Sequence, residues 1–167
     1  MEIGFSIGSN LDDRLANLRA ARQRMVVLPG VRLLASAPIY ETEPVDVQPD
    51  FLHLSFLNTV LILTGELPPV EWRRHIAQIE AELGRVRTAD RFAPRTIDID
   101  LLFAGDLCLD DGGLIIPHPR WAQRRFVLQP LADVRPNLIL PGVTQTVSQL
   151  LATLPSGEAV TKFCNSW

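Results

Sequence analysis

Apolar residues recur at two different spacings along the first third of the chain. Residues 3–7 alternate apolar and small side chains, which is typical of a strand, whereas apolar residues within 11–28 recur at helical spacing. Asn10 has the side chain of a good N-cap for that helix, and Pro29-Gly30 would end it. We therefore predict a strand followed by a helix.

Three further apolar segments predict strands. Residues 31–39 form the first of them, interrupted at Pro38, and residues 56–63 and 96–103 form the other two. Residues 41–49 and 85–94 are polar or proline-containing, so we predict loops there. Residues 107–116 are only weakly strand-like.

A second helix begins at Pro68-Pro69 and ends near Leu83, where Gly84 supplies the residue after the C-cap. Short helical pieces follow Pro117, and a last helix is predicted near residues 147–154. The element order β-α-β-β-α-β predicts an α+β, ferredoxin-like antiparallel sheet with helices packed on one face and extra C-terminal elements.

Composition restricts the class of protein. The 167 residues fit one domain, residues 1–167, and 47% are apolar. A formal net charge of −3 argues against broad binding to nucleic acid or to an anionic membrane. The N-terminus does not resemble a signal peptide, and the two cysteines are far apart in sequence. We expect a cytoplasmic monomer with reduced thiols.

The most informative segment is the fourth predicted strand. Side chains on a strand alternate between faces, so Asp98 and Asp100 should share one face while Ile97, Ile99 and Leu101 share the other. Two adjacent carboxylates repel each other, and a hard divalent cation such as Mg²⁺ removes that penalty. The alternative is a solvated strand face that carries two aspartates without a metal.

A cationic loop leads directly into this strand. Its arginines lie within eleven positions: Arg85, Arg87, Arg91 and Arg95. Guanidinium groups beside a carboxylate pair are what a metal-bound polyphosphate requires. Simple ion pairing between these arginines and the nearby aspartates is the alternative.

A second cationic segment lies further along the chain. His118 stands between two prolines that fix its backbone, which suits a residue that positions a ligand, although a lone histidine is more often structural. Arg124 and Arg125 follow, and at least one of them would lie on a helix surface. Phe126, considered alone, predicts a core residue.

Several motifs occur in an order that resembles the 6-hydroxymethyl-7,8-dihydropterin pyrophosphokinase family over residues 3–131. They are Gly8-Ser9-Asn10-Leu11, Ser36-x-x-x-Tyr40-x-Thr42-x-Pro44, Phe56-Leu57-Asn58, Glu80-x-x-x-Gly84-Arg85-x-Arg87, Pro94-Arg95-Thr96-Ile97-Asp98-Ile99-Asp100 and Pro117-His118-Pro119-Arg120. The resemblance implies a ferredoxin-like fold. It also implies transfer of pyrophosphate from ATP to the pterin hydroxymethyl group, with release of AMP, in folate biosynthesis.

The resemblance implies roles for individual residues. Asp98 and Asp100 would hold two Mg²⁺ ions, and Arg85 and Arg95 would contact phosphates. The remaining residues implied at ATP are Glu80, Arg87, His118 and Arg124. Those implied at the pterin are Thr42, Val45, Phe56, Asn58 and Phe126, with the two phenylalanine rings enclosing the flat ligand.

The chain also departs from the family pattern. Phe51 precedes Phe56 in an unusually long segment, and the Phe-Leu-Asn register favours Phe56 as the stacking ring. Asp46 stands where many members have glycine, and Phe92 stands where a tryptophan often packs on the ligand. Gly113 stands where an arginine can occur. These positions affect loop closure and affinity rather than the reaction.

Three other classes of protein compete with this interpretation. Another two-metal enzyme, such as a nucleotidyltransferase, would also need paired acids on a strand. An RNA-binding ferredoxin-like module would expose aromatic and basic residues on its sheet, where this chain places aspartates. A catalytically inactive relative would not need the intact pair of Asp98 and Asp100.

Overall fold

A computed structural model describes residues 1–44, 49–86, 93–157 and 159–167. Its strands are β1 (Glu2–Ser9), β2 (Arg32–Ser36), β3 (Ile39–Thr42), β4 (Phe56–Thr64), β5 (Asp98–Ala104), β6 (Leu109–Asp111), β7 (Leu114–Ile116) and β8 (Val160–Cys164). Its α-helices are α1 (Arg14–Val26), α2 (Pro69–Glu82), α3 (Arg125–Val134) and α4 (Val147–Thr153).

The main sheet has the order β5-β1-β4-β3-β8, and β2 also pairs with β4. Its strand pairs are antiparallel. The predicted second strand is present as two pieces, β2 and β3, because the chain is interrupted at Ala37-Pro38. With those two pieces counted as one strand, the core follows the β-α-β-β-α-β order, so the predicted α+β ferredoxin-like fold is confirmed.

Helices cover both faces of the sheet. On one face α1 and α2 pack on the core, where the rings of Phe5 and Trp72 lie 4.8 Å apart. On the other face α3 and α4 pack over residues such as Val60 and Leu102. The expectation of helices on one face therefore holds for α1 and α2 alone. The second face is buried at Leu102 but becomes partly exposed towards Asp98, at the start of β5.

The start of α1 corrects one prediction. Asn10 is not the N-cap; Asp13 is, and its carboxylate accepts a hydrogen bond from the Ala16 N–H at 3.0 Å. The chain makes an extra turn before the helix, with Asp12 at a φ of 56°. Asn10 is free to bond elsewhere because it lies outside this cap.

Two elements near the C-terminus complete the fold. The weakly strand-like segment forms the hairpin of β6 and β7, and its two-residue turn is Gly112-Gly113, with φ values of 54° and 82° that suit a type I′ turn. Strand β8, which the sequence pattern did not predict, pairs with β3. Across the described ranges, no helix is both long and apolar enough to cross a membrane.

Candidate active site

The candidate site lies on the sheet face opposite α1 and α2, over the end of β1. Gly8 is directly opposite Asn58 on β4 and also directly opposite Asp98 on β5. Ser6 is opposite Asp100 in the same way. Directly paired residues share a face, and two strand spacings separate β4 from β5 by about 10 Å. The Asn58 amide and the carboxylates of Asp98 and Asp100 therefore lie on the same face of the sheet. Between β4 and β5, strand β1 presents only small residues, Gly8 and Ser6, on that face.

Asp98 is held by two arginines. Arg85 Nη1 donates to Asp98 Oδ1 at 2.5 Å, and Arg95 Nη1 donates to Asp98 Oδ2 at 2.9 Å. Ion pairing, the alternative left open by the sequence, is therefore part of the structure. Because the guanidinium groups of Arg85 and Arg95 both lie next to the Asp98 carboxylate, an anion bound beside Asp98 would be within reach of both groups.

The end of α2 positions Arg85. Gly84, at a φ of 81°, lets the Gly84 and Arg85 N–H groups donate to the Ala81 and Glu80 carbonyls at 3.0 and 2.9 Å. These two bonds form a Schellman motif, which turns the chain out of the helix at Arg85. Burial lowers the pKa of Arg85, but the carboxylates of Asp98 and Glu80 outweigh burial and raise it, so the guanidinium stays charged.

Glu80 lies beneath Arg85 rather than at the surface. Its carboxylate accepts hydrogen bonds from Arg85 Nη1 and from the Ile99 N–H, the latter at 2.9 Å, and its side chain is only 3% exposed. A buried carboxylate needs such partners. Glu80 therefore lies away from the helix surface and connects α2 to β5 between the two aspartates.

Asn10 fixes the segment that carries Arg95. The side-chain Oδ1 of Asn10 accepts a hydrogen bond from the backbone N–H of Arg95 at 2.8 Å. The backbone N–H of Asn10 donates to the Arg95 carbonyl at 3.2 Å. Asn10 is 2% exposed. The backbone of Arg95 is therefore anchored to the end of β1, and its side chain reaches Asp98 from a defined position.

Asp100 faces a second cationic group. Its Oδ2 lies 3.4 Å from Arg124 Nη1 and 3.8 Å from His118 Nε2. Burial and the charge of Asp98 raise the pKa of Asp100, whereas burial lowers the pKa of both His118 and Arg124. The His118 Nδ1 accepts from the Arg120 N–H at 3.2 Å, so the neutral ring carries its proton on Nε2, towards Asp100.

The amide side of the site is built on β3 and β4. Asn58 is 5% exposed, and its Nδ2 donates to Thr42 Oγ1 at 2.7 Å. A Cβ added to Gly8 would lie only 2.6 Å from Asn58 Oδ1 and 3.6 Å from the ring of Phe56, so glycine leaves room for both. Phe56 begins β4, whereas Phe51 lies in a short 3₁₀ turn.

Phe126, the other predicted ring, lies in the first turn of α3. It is partly buried against the core, and the Arg124 guanidinium carbon lies 5.4 Å from its ring centroid. Two other predicted site residues, Val45 and Arg87, lie outside the described residues, as do Asp46 and Phe92.

The sequence named the supporting residues of this site in its motifs but did not predict the contacts through which they act. Gly8 and Asn10 belong to a recognised motif, but their contacts join β1 to β4 and to Arg95, far away in sequence. Glu80 carried one local signal, its position one turn before Gly84. Within the described ranges, no cluster of three or more His, Cys, Asp or Glu side chains could hold a metal ion.

Comparisons with known proteins find similar sequences along most of the chain. The chain matches the 7,8-dihydro-6-hydroxymethylpterin-pyrophosphokinase (HPPK) family over residues 4–136. The 2-amino-4-hydroxy-6-hydroxymethyldihydropteridine pyrophosphokinase of Methylorubrum extorquens is 39% identical over 155 residues, which cover 92% of this chain and 94% of that protein. The protein of the same name from Pseudomonas aeruginosa is 38% identical over 152 residues, 90% of each chain.

A solved structure shares the fold. The wild-type HPPK-DHPS of Plasmodium falciparum, crystallised with pterin and p-hydroxybenzoate, gives a TM-score of 0.66 at 15% identity. The match covers 90% of this chain and 42% of that longer one, and at this identity it supports the fold alone. The family match and the two bacterial relatives confirm the resemblance seen in the motifs: the chain belongs to the 7,8-dihydro-6-hydroxymethylpterin-pyrophosphokinase family.

Proposed function

We propose that this chain transfers pyrophosphate from ATP to the hydroxymethyl group of 6-hydroxymethyl-7,8-dihydropterin, giving AMP and the pterin diphosphate in folate biosynthesis. The observation that carries the proposal is the register at Gly8, which sets Asn58 and Asp98 on one face, about 10 Å apart across β1. A pterin recognised at Asn58 can then extend its hydroxymethyl group towards phosphates held at Asp98. Family membership supports the same reaction.

The pterin would bind between two aromatic rings. We assign stacking to Phe56 and Phe126, because flat ligands pack well against offset rings. Asn58 would pair with the polar edge of the pterin, held in place by its hydrogen bond to Thr42. Thr42 and Val45 would contribute backbone hydrogen bonds.

The triphosphate would lie over the cationic groups. Arg85 and Arg95 would bind the transferred phosphates, exchanging part of their contact with Asp98 for phosphate oxygens. His118 and Arg124 would bind the part of the nucleotide nearer Asp100, and the resemblance assigns Arg87 to the nucleotide as well. Glu80, assigned from the motif to the nucleotide, would act through its contacts with Arg85 and Ile99.

Asp98 and Asp100 would hold magnesium, and we propose two ions. These residues fit a cation, because the two carboxylates share one face of the sheet. Burial and the negative charge of Asp98 raise the pKa of Asp100, which means that they disfavour its charged form, and a bound cation would offset this effect. Mg²⁺ commonly uses one or two carboxylates and takes its other ligands from water and substrate phosphates. When bound, it neutralises phosphate charge and orients the reacting oxygens.

In the reaction, the hydroxymethyl oxygen forms a bond to the β-phosphorus while the bond from that phosphorus to the α,β-bridging oxygen breaks. The bridging oxygen leaves with AMP, and the hydroxyl proton is lost to solvent. We assign no general base in the protein. The chain contributes alignment through Asn58 and the two rings, and charge offset through Arg85 and Arg95.

We further propose that residues 1–167 act as a single domain, as a monomer in the cytoplasm. The unpaired state of Cys108 and Cys164 is compatible with a reducing compartment. The net charge of −3 supports small-molecule substrates rather than nucleic acid.

Product analysis tests the proposed function. The protein, ATP, Mg²⁺ and 6-hydroxymethyl-7,8-dihydropterin are incubated, and nucleotides are separated by chromatography. We expect AMP and pterin diphosphate in equal amounts. A matched reaction with 6-methyl-7,8-dihydropterin, which lacks the attacking hydroxyl, should give no AMP. AMP formation at the same rate in both reactions would contradict the proposal.

A further inference from the structure

Arg14, the first residue of α1, reaches the ends of two sheet strands. Its Nη1 donates to Glu41 Oε1 at 2.8 Å, to the Ser55 carbonyl at 2.9 Å and to Ser55 Oγ at 2.8 Å. The Ser55 hydroxyl donates in turn to the same Glu41 oxygen at 2.9 Å. One guanidinium nitrogen thus connects α1 to β3 and to the residue that precedes β4.

These contacts lie next to the last residue pair of β3 and β4. Thr42 is directly opposite Phe56 in the register. Glu41 precedes Thr42, and Ser55 precedes Phe56, so Arg14 holds the neighbour of each member of that pair. Side chains alternate along a strand, so Glu41 faces α1 while Thr42 faces the candidate pterin site.

The cluster is partly shielded from water. The side chains of Arg14 and Glu41 are 27% and 39% exposed. Hydrogen bonds from Arg14 and Ser55 lower the pKa of Glu41, so its carboxylate is charged at neutral pH. An isolated exposed ion pair contributes little to stability. Here, however, Arg14 contacts the ends of both β3 and β4. The relative position of these ends sets the distance between Thr42 and Phe56, two of the residues assigned to the pterin.

We propose that Arg14 is a positioning residue for the pterin side of the site. By holding Glu41 and Ser55 together, it fixes the pair of Thr42 and Phe56 in the arrangement that accepts the flat ligand. This inference rests on the proposed function and adds to it a residue on the opposite side of the sheet, outside the motifs that resemble the family.

The same helix offers a matched control. Arg24, in the last turn of α1, pairs with Glu82 at 3.3 Å, and the two side chains are 40% and 46% exposed. That ion pair joins α1 to α2 and does not involve β3 or β4. Arg14→Ala and Arg24→Ala each remove one arginine ion pair of α1, and only the first removes a contact beside the pterin site.

The experiment measures AMP formation for wild type, Arg14→Ala, Glu41→Ala, the double variant of those two, and Arg24→Ala. We expect Arg14→Ala and Glu41→Ala each to raise the KM for the pterin by roughly threefold to tenfold, with the KM for ATP unchanged. The double variant should raise the KM for the pterin by less than the product of the two single effects, because each single substitution already disrupts the same cluster of Arg14, Glu41 and Ser55. Arg24→Ala should match wild type in both constants.

Thermal unfolding of each variant separates positioning from general loss of structure. A rise in the KM for the pterin at an unchanged or slightly lower unfolding midpoint supports the inference. Equal KM values for the pterin in Arg14→Ala and Arg24→Ala would overturn it, as would equal rises in both KM values for Arg14→Ala. A wild-type chain that forms no AMP would overturn the proposed function itself, whereas the other outcomes arise only in an active enzyme.

Discussion

Replacing Gly8 by alanine tests whether Asn58 recognises the pterin. The added Cβ would lie 2.6 Å from Asn58 Oδ1, so the amide oxygen must move by roughly 0.8 Å to reach the 3.4 Å of ordinary contact. Such a shift disturbs the hydrogen bond of 2.7 Å from Asn58 Nδ2 to Thr42 Oγ1. Loss of a buried hydrogen bond costs about 1 to 2 kcal/mol, which corresponds to between roughly fivefold and thirtyfold in affinity.

We therefore expect Gly8→Ala to weaken pterin binding by that factor, and ATP binding much less. Stability should be unchanged or lower by up to about 1.5 kcal/mol, because the disturbed hydrogen bond costs about 1 to 2 kcal/mol, whereas alanine within β1 restricts the unfolded chain and returns about 0.5 to 1 kcal/mol. Isothermal titration with each ligand measures the two affinities, and thermal unfolding measures stability.

A second glycine of the same strand provides the control. A Cβ on Gly4 would lie 2.1 Å from the ring of Phe103, which is 2% exposed. Overpacking of this kind costs about 1 to 3 kcal/mol, so Gly4→Ala should lower the unfolding midpoint by roughly 2 to 10 °C while the folded protein binds the pterin normally. Wild-type pterin affinity in Gly8→Ala, or equal losses for pterin and ATP, would refute the role given to Asn58.

Three further predictions follow from the site. Asp98→Ala and Asp100→Ala should each lower the rate of AMP formation by orders of magnitude with the fold intact by circular dichroism; near-normal turnover in either contradicts the metal assignment. Asn58→Ala should raise the KM for the pterin far more than that for ATP, and equal changes count against it. Asn10→Ala should lower kcat and raise the KM for ATP by about fivefold or more, because Arg95 loses its anchor. Asn17→Ala removes side-chain bonds to Ser9 and Leu11 in the same turn and should leave both constants unchanged; equal effects of the two variants would contradict the anchoring role of Asn10.

Features that depend on local spacing could be predicted from the sequence. The two-residue period of β5 placed Asp98 and Asp100 on one face, and the register with β1 confirms it. Glycine and proline signals located both ends of α2, since each acts within one or two residues of the helix end. The apolar segment predicted as a strand over residues 56–63 begins at Phe56, as β4 does.

Features that depend on tertiary contacts could not be predicted from the sequence. The bond between Asn10 and Arg95 joins residues 85 positions apart, so local spacing could indicate only the preference of Asn10 for a helix cap. Strand β8 is mostly exposed, with no buried face to produce an alternating pattern. The contacts of Arg14 likewise arise only when α1 packs beside β3 and β4.

Transfer of the β-phosphorus tests the central claim most directly. ATP labelled at the β-phosphorus is incubated with Mg²⁺, 6-hydroxymethyl-7,8-dihydropterin and the protein, and the labelled products are separated. A pyrophosphokinase moves the label to the pterin and leaves unlabelled AMP, which is the result we predict. A label that stays in ADP, with only the γ-phosphorus transferred, would show a simple kinase and contradict the account.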